Sequence, residues 1–305
     1  MKARRVTAVA IALLGAALAA AGSGFGAGEE VGEAEVRVTR DFGAADVVAP
    51  ISEDITESDT VMRVLDRNAE ISTRYGGGFV ASINGVSEDV HAGRRYDWFF
   101  YVNGVESPVG AADYSMHGGE AIWWDYRDWS AASRVPAVVG SWPQPFLGGY
   151  DEEEHPVTVD CRGGGEACAM VRERLEGAGV SPATGSPEDA IEVLVGPWGR
   201  VREVAVAAQL ESGPQESGVF ADFARRGSRF ELQGLDEGGE FVRRFGPGAG
   251  LVAATRRYDA PPVWIVTGAD ARGVLSAAEL LDAASLRDHY AVAVEGGKTT
   301  PLPVR

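Results

Sequence analysis

The chain of 305 residues is short of the groups that metal, thiol and lysine chemistry need. It has two cysteines, Cys161 and Cys168, and four histidines, His91, His117, His155 and His289, standing singly. None has the paired spacing of a zinc site, so no metal site is expected. The only lysines are Lys2 and Lys298, so nearly all positive charge is arginine. Beyond residue 21 there is no apolar run of the ~20 residues that a membrane-spanning helix needs. There is also no Gly-x-Ser-x-Gly elbow, and the scattered histidines give no local nucleophile arrangement. Gly296-Gly297-Lys298-Thr299 echoes the end of a phosphate loop, but Val292 stands where the first glycine belongs and no helix has room to follow. These absences point away from an enzyme and from a catalytic cofactor.

What is abundant is acid: 45 Asp and Glu against 28 Lys and Arg, a formal net charge of -17. Such a surface repels nucleic acid and anionic lipid, and no nucleic-acid partner is expected. The first residues carry Lys2, Arg4 and Arg5, then an apolar stretch over residues 6–21 ending in Ala19-Ala20-Ala21. This is the layout of a secretory signal peptide cleaved near Ala21, with a retained anchor as the alternative. Loss of the three basic residues would bring the net charge to about -20. Without a nearby cysteine, a lipid anchor is not expected. Export implies an oxidising compartment, where Cys161 and Cys168 are candidates for a disulfide closing a small loop.

The pattern divides the rest into two units joined by a Pro- and Gly-containing stretch over residues 131–155, which ends in an acidic run. Because that stretch contains Trp142, Phe146 and Tyr150, part of it is expected to pack on a domain. In the first unit, residues 35–39 alternate as a half-buried strand, and Val61, Met62, Val64, Leu65 and Ala69 make a helical stripe capped at Ser58 or Asp59. Two Asn-Gly dipeptides, Asn84-Gly85 and Asn103-Gly104, mark hairpins, because both central residues of a type I′ turn need positive φ. A last strand covers residues 121–126. The second unit, 156–305, alternates strands and helices, with a helix expected over about 200–210, and reads as an α/β or α+β layer domain. The overall expectation is an α+β protein.

The segment Tyr96-Asp97-Trp98-Phe99-Phe100-Tyr101-Val102-Asn103-Gly104-Val105, followed by Gly110, Tyr114, Gly118-Gly119-Glu120 and Ile122-Trp123-Trp124-Asp125-Tyr126, resembles the transcobalamin-like C-terminal domain family over about residues 34–129. The resemblance implies a β-grasp fold, related to modules that bind soluble ligands. In vertebrate cobalamin carriers this domain closes over the corrinoid against a large helical domain; here no helical domain precedes it and a different unit follows. The expected function is therefore an exported, non-enzymatic ligand-binding protein, with cobalamin as a candidate ligand and a membrane importer as a candidate partner. The rival is a cell-envelope module that binds glycan or protein.

Strand alternation puts Asp97, Phe99, Tyr101 and Asn103 on one face and Trp98, Phe100 and Val102 on the other. Ile122, Trp124 and Tyr126 similarly oppose Trp123 and Asp125. One face must form the core. The other is free to stack on a planar ligand or to pack beneath the second unit. The candidate ligand-binding residues are Trp98, Tyr101, Asn103, Tyr114, Trp123, Trp124, Tyr126 and Arg127.

Overall fold

The computed structural model describes residues 28–87, 89–91 and 93–305. The expected signal peptide lies outside the described residues. The first unit contains β1 (Glu30–Arg40), β2 (Ala45–Thr56), α1 (Val61–Asn68), β3 (Ile71–Arg74), β4 (Phe79–Ile83), β5 (Val86–Ser87), β6 (Asp89–His91), β7 (Arg94–Val102), β8 (Val105–Glu106) and β9 (Ala121–Asp128). Its main sheet runs in the order β2-β1-β9-β7-β6, with β8 also pairing to β7. The β1 and β9 strands are parallel, and the other neighbours are antiparallel. A second small sheet, β3-β4-β5, and α1 lie across one face.

Local chemistry accounts for these elements. In both Asn-Gly turns the two central residues have positive φ: 47° and 79° at Asn84-Gly85, 52° and 80° at Asn103-Gly104. Helix α1 buries Val61, Met62, Val64 and Leu65. Its N-cap is Thr60, whose hydroxyl accepts from the Arg63 amide, rather than Ser58 or Asp59. Asp59 instead accepts from the Thr56 amide at 2.9 Å and pairs with Arg67. That contact fixes the turn into the helix.

The second unit contains β10 (Val157–Cys161), α2 (Gly165–Gly177), β11 (Ile191–Pro197), α3 (Trp198–Val201), α4 (Pro214–Ser217), β12 (Ala221–Arg226), β13 (Arg229–Leu235), β14 (Phe241–Arg244), β15 (Gly250–Thr255), β16 (Val263–Gly268), α5 (Ala271–Glu279), α6 (Ala283–Leu286), β17 (Ala291–Glu295) and β18 (Lys298–Leu302). Its sheet runs β10-β11-β16-β15-β17-β18, parallel across β10, β11 and β16 and antiparallel beyond. Helices α2 and α5 pack on one face. The β12-β13-β14 sheet and the first unit cover much of the other. Cys161 and Cys168 form a disulfide that ties the end of β10 to the first turn of α2. No helix among the described residues is long and apolar enough to cross a membrane.

This architecture corrects the α+β expectation. The described residues are β-rich, with four sheets and few helices, and among them only α1, α2 and α5 reach eight residues. The helix expected over 200–210 is broken into the four residues of α3 and a 3-10 segment, Ala207–Ser212. Three strands in the second unit, β12, β14 and β18, add to those expected from the sequence. Gly296-Gly297, the phosphate-loop echo, is the turn between β17 and β18.

The connecting stretch is packed: Val135, Val138, Val139, Trp142, Phe146 and Tyr150 are all buried. Trp142 and Phe146 both contact the Trp264 ring of β16, at centroid distances of 5.7 Å and 4.9 Å.

Candidate functional site

The β7–β9 pair carries the aromatic residues of the sequence motif, and both of its faces are covered. Trp98, Val102, Ile122, Trp124 and Tyr126 share one core with α1 and β4. Tyr101 and Trp123 belong to the core formed with Tyr290, Phe220 and Leu194 of the second unit. The second unit thus occupies the face that would otherwise be open to a ligand.

At the centre of this joint lies Asp125, with no exposed surface. Its carboxylate accepts from the Thr39 hydroxyl at 2.6 Å, the Phe42 and Gly43 amides at 2.9 and 3.0 Å, and the Tyr290 hydroxyl at 2.9 Å. Burial pushes the carboxyl up to about 6, against the opposing pull of the Thr39, Gly43 and Tyr290 donors. Around it, Trp123 donates its indole N–H to Thr39 at 2.8 Å, and Arg37 lies 5.1 Å from the Trp123 ring while pairing with Asp288. Arg287 adds a contact to Glu35 at 2.7 Å. The arrangement is a latch between two units, built from charge-assisted hydrogen bonds and edge-on aromatics.

All eight sequence candidates are buried, and most have structural partners. Trp98 donates to the Val86 carbonyl at 3.1 Å, and the Tyr126 hydroxyl donates to the Ser87 carbonyl, so both tie β7–β9 to β5. Tyr114 donates to Glu120 at 2.7 Å. Asn103 bridges Gly149 O and Ala121 N, joining the turn to the connecting stretch. Tyr101 and Trp123 lie in the joint. Arg127 stacks 3.7 Å from the Phe99 ring and donates to the Ala132 carbonyl at 2.8 Å. Its Nε and Nη2 have no partners.

Trp98 and Trp124 also line an opening. Along β7, β6 pairs as far as Tyr96 and β8 resumes at Tyr101, so on that side the ladder is interrupted between them. A cleft of about 230 Å³ lies at the gap, walled by Phe79, Trp98, Phe100 and Trp124, with Asp97 and Glu106 among its polar groups. Phe100 and Trp124 are stacked at 4.8 Å, and the fully buried Trp124 indole N–H has no acceptor. Burial raises the Glu106 carboxyl above its ordinary range, opposed by Arg127 and by the hydrogen bond from Arg134. This cleft offers stacking surface and a carboxylate to a small occupant. Phe79, Phe100, Glu106 and Gly110 were not among the sequence candidates. Their common signal is the early end of the β8 hairpin arm, which leaves residues 97–99 of β7 unpaired, among the described residues, on the side away from β9.

Among the described residues no group of three His, Cys, Asp or Glu side chains is arranged to hold a metal. No curated protein matches the chain. One matching solved structure is a candidate metal binding protein from Ruminococcus gnavus ATCC 29149, 14% identical, covering 32% of this chain and 97% of that one with a TM-score of 0.25. A likeness of that strength says nothing of what this chain binds. Residues 58–128, from the turn before α1 to the end of β9, match the family described as Domain of unknown function (DUF4430).

Proposed function

We propose that this is an exported, non-enzymatic ligand-binding protein whose ligand seats in the cleft beside β7. The observation that carries the reading is the gap in the β7 ladder, where stacked Phe100 and Trp124 and the Glu106 side chain line a cavity inside the matched domain. The transcobalamin-like motif spans the same residues and makes a corrinoid the first ligand to test. At about 230 Å³ the cleft is smaller than the ~300–1,000 Å³ of most small-molecule pockets. It would take one edge or side arm of a corrinoid and leave the rest outside, for a partner such as a membrane importer to cover.

Gly110 lines the cleft, and a Cβ there would come no closer than 3.4 Å to its nearest neighbour, the Gly78 carbonyl. Gly110→Leu therefore fills the cleft with little strain at its first carbon. Absorbance titration with cobinamide and cyanocobalamin should give saturable binding to the wild-type protein and about tenfold weaker binding to Gly110→Leu. Failure of both corrinoids to bind would remove that ligand class. Equal binding by the variant would remove the cleft.

A further inference from the structure

A second opening, independent of the cleft, lies on the other unit. Its cavity of about 870 Å³ is within the range of small-molecule sites. The floor is the β10–β11 end of the large sheet, on the face opposite α2, where Thr158 and Asp160 alternate with the buried Val157 and Val159. In the parallel register Thr158 lies beside Glu192 and Asp160 beside Leu194, so Glu192 and Asp160 are diagonal neighbours on this face. Residues 204–206 and 260–261 supply apolar walls, and Val263 on β16 continues the floor.

The charges here are not equivalent. Asp160 is taken up by Arg162, whose Nε and Nη2 both approach its Oδ2 at 2.7 Å. Arg172 is committed to the Val159 carbonyl at 3.0 Å, and Arg257 lies over the Tyr258 ring. Glu192 alone among the three acids and three arginines of the lining combines partial burial with a carboxylate that has no hydrogen-bond or ion-pair partner among the described residues. Burial and then the neighbouring Asp160 raise its carboxyl, so it stands to gain from an added positive charge. His289 is not part of this groove.

We propose that this groove binds an amphipathic organic cation, an alkyl amine whose ammonium pairs with Glu192 while its carbon chain lies against Val204, Val206, Pro261 and Val263. The apolar wall excludes a bare metal ion as the natural occupant, and the single unanswered carboxylate selects one positive end.

Pentylamine is the probe, titrated by calorimetry into the full chain at physiological ionic strength, where attraction to the acidic surface is screened beyond ~8 Å. The expected result is saturable binding with one site, weakened about tenfold or more in Glu192→Gln. Neutral pentanol should not bind. Ala205→Trp, an exposed groove position, should also block binding and serves if Glu192→Gln perturbs folding. Gly110→Leu should leave amine binding unchanged, which separates this site from the β7 cleft. Absence of saturable binding to the wild-type chain, or equal affinity in Glu192→Gln and Ala205→Trp, would overturn the proposal.

Discussion

Gly43→Ala should separate the two units. Gly43 has φ +81°, and a Cβ built there would lie 1.9 Å from the Asp288 carbonyl oxygen and 2.9 Å from Trp123. The positive φ alone costs an alanine about 1–2 kcal/mol. The overlap is with backbone, so no rotamer change relieves it. The segment around Asp288 must withdraw, weakening the Tyr290 bond to Asp125 and the Arg37–Asp288 pair. Leaving such buried polar groups short of partners costs a further ~1–3 kcal/mol. The expected loss is therefore about 2–5 kcal/mol. Gly85→Ala is the matched control, because its φ is +79° and nothing lies within 4 Å of the added carbon. It should cost only the backbone share. Urea denaturation followed by tryptophan fluorescence measures both variants. If Gly43→Ala is no more destabilising than Gly85→Ala, the close approach of the two units at Asp288 is wrong.

Further outcomes test other parts of the account. Asp125 has an ordinary carboxyl value of 3.8 and a folded value of about 6, so between those values the folded state holds a proton that the unfolded state has released. Its contribution is therefore most favourable at low pH and falls by about 3 kcal/mol as pH rises through that window. Wild-type stability relative to Asp125→Asn should decline between pH 4 and 6; a constant difference would refute the assignment. Replacing Cys161 and Cys168 by serine together should cost about 2 kcal/mol, since the disulfide closes a short loop, and an unchanged denaturation midpoint would argue that it contributes nothing. Arg127→Met should cost less than truncation to Ala, because its stem and its stacking on Phe99 carry packing while two guanidinium nitrogens lack partners. Thermal denaturation of both variants decides it.

The β-hairpins of the first unit were legible because Asn-Gly fixes both turn residues. Strand β2 was not. Its residues alternate between exposed and half-buried with little apolar contrast, and its place is set by pairing to β1. The faces of β7 and β9 were also legible as faces, since side-chain alternation is local. Their partners were not: Tyr290, which caps Asp125, is 165 residues away in sequence. Sequence spacing alone does not report such a contact. The same holds for Glu192, whose lack of a partner depends on Arg162 being turned to Asp160. The aromatic cluster was read as candidate ligand surface because aromatic residues suit both stacking and packing. Burial separates the two roles. Tyr101 and Trp123 lie in the joint with the second unit, Asn103 and Arg127 bond the connecting stretch, Tyr114 and Tyr126 pack within the first unit, and Trp98 and Trp124 wall the cleft.

The central claim is that the second unit latches onto the β7–β9 sheet through Asp125. The direct measurement is a double-mutant cycle on denaturation free energy at pH 7, with Asp125→Ala, Tyr290→Phe and the double variant. A charge-assisted bond at 2.9 Å in a fully buried joint predicts a coupling of about 1–3 kcal/mol. Additive effects, with the coupling within about 0.3 kcal/mol of zero, would contradict it.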